Sequence, residues 1–102
     1  MKRPKYTIRL LPVAEEDFKE IISYIAVDNL SAAESMAKKI ERNLSMLSGY
    51  PLMGTIPNEE ELANMGYRFL VIQNYLIFYT VEEKIIWIHR IIHGARDYIA
   101  LL

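Results

Sequence analysis

The chain contains no cysteine. Disulfide staples and thiolate-held metal ions are therefore excluded. Histidine is scarce, with only His89 and His93. Four residues apart on a strand, they share a face but stand about 13 Å from each other, too far to hold one ion. Neither a metal site nor a cofactor is expected. No apolar run reaches the ~18 residues of a membrane span, and no charged n-region followed by an apolar h-region opens the chain. The expectation is a cytoplasmic protein without a membrane partner. An excess of positive charge is also missing. Lys and Arg number 12 against 13 Asp and Glu, for a net charge of −1 and a pI near 6.1. No overall basic field draws nucleic acid to the molecule.

What is present is a hydrophobic content of 52% over 102 residues. That is enough for one domain, residues 1–102, with its own core, and it argues against disorder. Charge is unevenly placed. Lys2, Arg3, Lys5 and Arg9 make the N-terminus basic, while Glu15, Glu16 and Asp17, and again Glu59, Glu60 and Glu61, form acidic clusters. Both acidic clusters read as solvated surface. The first also sits in the opening turns of a helix, where the macrodipole favours negative charge.

Tyr6 to Leu11 alternates as a short strand, with Thr7, Arg9 and Leu11 on one side and Tyr6, Ile8 and Leu10 on the other. Pro12 ends it and opens a helix to about Val27, whose Ala14, Phe18, Ile21, Ile22 and Ile25 make one buried stripe. Residues 28–30 are a tight connector. Ser31 with Glu34 reads as a capping box for a second helix to about Ser48, with Ala33, Met36, Ala37, Ile40, Leu44 and Leu47 on one face. Gly49 and Pro51 close it. Two helices so closely joined form an antiparallel hairpin. Residues 50–65 are a loop in which residues 59–65 have the composition of a short helical turn.

Three strands follow, Tyr67 to Ile72, Tyr75 to Val81 and Ile85 to Ile92, joined at Gln73-Asn74 and at residues 82–84 as an antiparallel meander. The last six residues are a tail or helical turn. The strands are apolar on both faces. In the last, Ile86, Ile88 and Ile92 oppose Ile85, Trp87 and Ile91; in the one before, Leu76 and Phe78 oppose Ile77, Tyr79 and Val81. The helix hairpin covers one face, so a partner or a second copy is expected over part of the other. The fold class is α+β: an N-terminal strand, an antiparallel helix hairpin on a mainly antiparallel four-stranded sheet, and a short C-terminal tail.

Five segments, in this order, carry a family resemblance. They are Ala14, Asp17, Phe18, Ile21, Tyr24 and Ile25 of the first helix; Pro51-Leu52-Met53-Gly54; Gly66-Tyr67-Arg68; Tyr75-Leu76-Ile77-Phe78-Tyr79; and His93-Gly94-Ala95-Arg96-Asp97-Tyr98. From about Tyr6 to Leu102 the chain resembles the RelE/ParE superfamily of toxins from bacterial type II toxin–antitoxin modules, a single toxin domain. The resemblance implies a cognate antitoxin as partner, with the toxin alone as a homodimer or in a heterotetramer with the antitoxin. It also implies one of two activities. ParE-like members act on DNA gyrase by protein–protein binding, and RelE-like members cut messenger RNA in the ribosome.

RNA cleavage needs an activated 2′-hydroxyl, a protonated leaving oxygen and stabilised phosphate charge, which the RelE branch supplies with basic side chains on the sheet and a Tyr or His near the C-terminus. Arg68 matches one such basic position. Leu70 and Leu76 stand at two others and are aliphatic. With a pI near 6.1 the chain also lacks the charge that phosphate binding demands. The ParE-like branch is the better match, with no catalytic residue assigned, and Arg68, Tyr75, His93, Arg96, Asp97 and Tyr98 as the residues expected to contact target or antitoxin. The alternative is a ribosome-dependent mRNA endonuclease with Arg68, His93, Arg96 and Tyr98 as its catalytic set. A degenerate toxin that only binds antitoxin is the third reading.

Overall fold

A computed structural model of the protein describes residues 5–102; Lys2 and Arg3 of the basic N-terminus lie outside the described residues. The elements are β1 (Thr7–Leu10), α1 (Pro12–Asp28), α2 (Leu30–Gly49), α3 (Glu60–Asn64), β2 (Arg68–Ile72), β3 (Tyr75–Glu82), β4 (Ile85–His93) and a closing 3-10 helix (Tyr98–Leu101). They form an α+β fold around one four-stranded sheet in the order β1-β4-β3-β2. The meander β2-β3-β4 is antiparallel, and β1 joins it in parallel beside β4, Thr7 opposite Ile85 and Leu10 opposite Ile88.

Pro12 opens α1, where its missing N–H has no partner to lose. The stripe of Ala14, Phe18, Ile21, Ile22 and Ile25 packs on the sheet, as does the stripe of Met36, Ile40, Leu44 and Leu47 from α2. The sheet answers with Leu70, Ile72, Ile77, Tyr79, Ile86, Ile88 and Ile91. The capping box expected at Ser31 is not the start of α2. Asn29 is the cap, its Oδ1 accepting the Ala32 N–H at 2.9 Å. The link between the helices is this one residue, which also closes α1 through its own N–H to the Ile25 carbonyl, 2.9 Å. Asn caps as well as Ser does, so the shorter link costs nothing and draws Leu30 and Ser31 into the helix.

One further expectation is corrected on the sheet. Phe78 pairs with Arg90 but Tyr79 pairs with Ile88, so His89 is an extra residue in β4. A bulge shifts the two-residue period by one. Ile91 therefore joins Ile86 and Ile88 on the helix side, while Ile92 turns to the opposite face. That opposite face is covered in part from within the chain. Leu62 of α3 and the tail residues Tyr98, Leu101 and Leu102 pack over Tyr67, Phe69, Leu76, Phe78 and Ile92. The part towards β1, with Ile85 and Trp87 half-buried, remains open as a recess bordered by Glu82 and Glu83.

Candidate functional site

The C-terminal half of β4 lacks a neighbour on one side, because β1 stops at Leu10 opposite Ile88 while β4 runs to His93. Leu11 still reaches the Ile88 carbonyl through its N–H, 3.0 Å. Beyond that point the carboxylate of Asp17 replaces the missing strand. Its Oδ2 accepts the Ile91 N–H at 3.0 Å and Arg90 Nε at 2.7 Å, and its Oδ1 accepts Arg90 Nη2 at 2.9 Å. Arg90 Nη1 also donates to the Leu101 carbonyl, 3.3 Å. The pair thus joins α1, β4 and the tail. Its hydrogen bonds to Asp17 raise the Arg90 pKa above its ordinary value, against the opposing effect of burial.

Asp17 is 8% exposed, so its grouping with Glu15 and Glu16 as solvated surface is wrong for this residue. The sequence held a signal: Asp17 stands three residues after Ala14 and four before Ile21, inside the apolar stripe. Arg90 escaped sequence reasoning because it sits among isoleucines with no charged neighbour in sequence.

Tyr98 lies over the other face of the sheet. Its ring packs on Phe78 with centroids 5.0 Å apart, and its hydroxyl donates to Glu59 Oε2 at 2.7 Å. The second oxygen, Oε1, is buried without a partner among the described residues. The bond to Glu59, then burial, then the charges of Glu59 and Asp97 raise the Tyr98 pKa. The phenol therefore keeps its proton and serves as a donor that fastens the tail to the segment before α3.

The other expected contact residues divide into two groups. Tyr75 and His93 face each other across β3 and β4, ring centroids 5.5 Å apart. His93 Nδ1 accepts the Ala95 N–H at 3.2 Å, which puts the proton of the neutral ring on Nε2. His93, Arg96 and Asp97 are exposed, and Arg96 and Asp97 form no ion pair with each other among the described residues. Arg68 is elsewhere. It opens β2 opposite Tyr79, whereas Tyr75 pairs with Ile72 at the other end of that strand, and it shares the helix-side face with Leu70 and Ile72. Instead of pairing with a carboxylate, its Nη1 donates to the carbonyls of Leu52, 3.1 Å, and Gly54, 3.0 Å. Arg68 and Tyr98 thus project from opposite faces. Leu70 is buried in the helix-side core, and Leu76 packs in the cluster on the other face.

The bulged His89 is held by two side chains. One ring nitrogen lies 2.8 Å from Thr80 Oγ1 and the other 3.3 Å from the Tyr67 hydroxyl. Burial lowers its pKa, with the charge of Glu82 opposing. Burial likewise raises the pKa of Tyr67. Among the described residues no group of three His, Cys, Asp or Glu could hold a metal ion, and no helix is long and apolar enough to cross a membrane.

Residues 8–98 match the family described as the ParE toxin of the type II toxin-antitoxin system parDE. Among solved structures, a chain of the chromosomal ParDE toxin–antitoxin system from P. aeruginosa superposes with a TM-score of 0.71 at 18% identity, covering 87% of this chain and 96% of that one. A chain of the toxin–antitoxin complex RelBE2 from Mycobacterium tuberculosis superposes with a TM-score of 0.61 at 25% identity, covering 87% of this chain and 98% of that one. A comparison with curated proteins finds no match.

Proposed function

Because the chain belongs to the ParE toxin family of type II toxin–antitoxin systems, we propose that it poisons DNA gyrase by protein–protein binding and is neutralised by a cognate antitoxin. The observation that carries the choice of target is the separation of Arg68 from Tyr98. An RNA-cleaving site must gather its cation, its acid and the scissile phosphate within hydrogen-bond reach. Here Nη1 of Arg68 is bonded to the carbonyls of Leu52 and Gly54 on one face, while Tyr98 is fastened to Glu59 on the other. The aliphatic Leu70 and Leu76 pack into apolar clusters. Binding to a protein target requires no such convergence. The exposed end formed by His93, Arg96 and Asp97, with Tyr75 beside it, is the surface offered to gyrase.

The test is gyrase supercoiling and cleavage-complex formation with purified toxin titrated in. Inhibition or trapped double-strand breaks, relieved by the antitoxin, is the expected result. Growth arrest in cells without any effect on purified gyrase overturns the gyrase reading. Cleavage of ribosome-bound message by the same protein would then replace it.

A further inference from the structure

The segment 51–54 exposes the side chains of Leu52 and Met53 yet is firmly tied in its backbone. The Tyr79 hydroxyl donates to the Pro51 carbonyl at 2.8 Å and accepts the Gly54 N–H at 2.9 Å. Arg68 Nη1 donates to the carbonyls of Leu52 and Gly54. The Met53 N–H adds a bond to the Tyr50 carbonyl, 3.1 Å. Tyr79 is fully buried, so the anchor itself is fixed, yet Leu52 and Met53 are 63% and 37% exposed. Water satisfies an ordinary surface loop, and a buried tyrosine and an arginine are not needed to hold one. Apolar side chains on a rigid backbone are what a binding surface requires, because their ordering cost is met before the partner arrives.

Leu52 and Met53 form one wall of a groove of about 560 Å³. Tyr6 and Gly49 line it as well. Their segments are locked together by the Tyr6 N–H to the Ser48 carbonyl, 2.9 Å, and by Ser48 Oγ to the Tyr6 carbonyl, 2.7 Å. Lys84 is the charged residue of the lining, and it makes no ion pair among the described residues. Glu82 and Glu83 of the same turn border the separate recess with Ile85 and Trp87 and form no ion pair with the lysine. A cleft whose lining among the described residues is apolar apart from Lys84 complements a peptide that carries a large apolar anchor and a carboxylate.

We infer that this groove is a docking site for the antitoxin, whose acidic segment inserts an aliphatic or aromatic side chain beside Leu52 and Met53 and sets a carboxylate on Lys84. The inference rests on the toxin–antitoxin reading and adds the place and chemistry of the grip. Lys84 precedes β4, whereas His93 ends it, so this grip is apart from the end of the sheet offered to gyrase.

The experiment measures the affinity of the full-length toxin for the antitoxin encoded beside its gene, by calorimetry at low and high salt. Leu52→Ser and Lys84→Glu alter exposed side chains, and unchanged urea midpoints verify their folds. Each is expected to weaken binding by about tenfold or more, and Lys84→Glu to reduce the salt dependence seen with the unaltered chain. Binding by both variants as tight as that of the unaltered chain overturns the groove. So does a homodimer of the toxin that Leu52→Ser dissociates with antitoxin affinity unchanged, since a second copy is then the occupant. Failure of the unaltered chain to bind this antitoxin overturns the toxin–antitoxin pairing itself, and the groove proposal with it.

Discussion

Replacing Asp17 by Asn tests whether one carboxylate completes the sheet. Three donors converge on its two oxygens, Arg90 Nε and Nη2 and the Ile91 N–H, at 2.7, 2.9 and 3.0 Å. An asparagine offers one acceptor oxygen and turns an NH₂ group towards at least one of these donors. Hydrogen bonds to charged groups contribute about 1.5–3 kcal/mol each, and removing one partner of a buried ion pair costs about 3–5 kcal/mol. The side chains retain 16% and 10% exposure for Arg90 and Asp17, so some water reaches the guanidinium and the lower end applies, about 3 kcal/mol. With a urea m-value of about 1.5 kcal/mol/M for a small domain, the midpoint falls by about 2 M; in a thermal scan the loss is about 12–24 °C. Both are read by circular dichroism. The companion variant Arg90→Met removes the stranded cation. The double variant is therefore expected to be more stable than the sum of the two single losses predicts, by about 1 kcal/mol or more. A loss below about 1 kcal/mol for Asp17→Asn, or strictly additive losses, would show that the pair is ornamental and that the end of β4 does not depend on it.

Three other outcomes are expected. Tyr98→Phe removes the donor to Glu59 Oε2 and lowers stability by about 1–2 kcal/mol in a urea titration. In the unaltered protein the absorbance titration of Tyr98 should fall above the ordinary tyrosine range, because its pKa is raised. Its contribution is present below the unfolded value and is lost as pH rises through the folded one. His89 behaves in the opposite sense. Its folded pKa is lowered from 6.5, so the unfolded chain binds its proton first, and stability should decline as pH falls from about 7 through the window below 6.5. A His89→Gln variant should flatten that decline, and an unchanged slope would rule the residue out as its source. Gly54→Ala would put a methyl carbon 2.5 Å from the Tyr79 hydroxyl and 3.0 Å from the Phe69 carbonyl. With Tyr79 unable to retreat, a loss of about 1–3 kcal/mol is expected in thermal unfolding.

The local elements were legible in the sequence because each depends on a period the chain carries in place. The stripes of α1 and α2, the alternation of the meander strands, the turn at Gln73-Asn74 and the stop after Leu11 at Pro12 all depend on residues within a few positions of one another. The exposed end at His93, Arg96 and Asp97 was legible too, as a polar exit from an apolar strand.

What local pattern left open, tertiary structure decided. The alternation of β4 holds up to His89 and inverts beyond it, since a bulge is a property of two paired strands and not of one. The cap of α2 is Asn29 and not Ser31, because one residue both closes α1 and caps α2. Asp17 meets Arg90 across 73 residues, and Tyr98 meets Glu59 across 39. No periodicity links such positions. Asp17 is an acid among acids and Arg90 a cation among isoleucines until β1 ends early and leaves the Ile91 N–H in need of an acceptor. Arg68 is expected from the sequence to contact a partner; only the structure shows that its Nη1 holds the carbonyls of Leu52 and Gly54. Sequence by itself determined the elements and which of their faces are apolar, because burial is written in the spacing of side chains. The structure alone determined which polar groups are consumed inside the fold and which remain for a partner, because a hydrogen bond is set by where two distant segments meet.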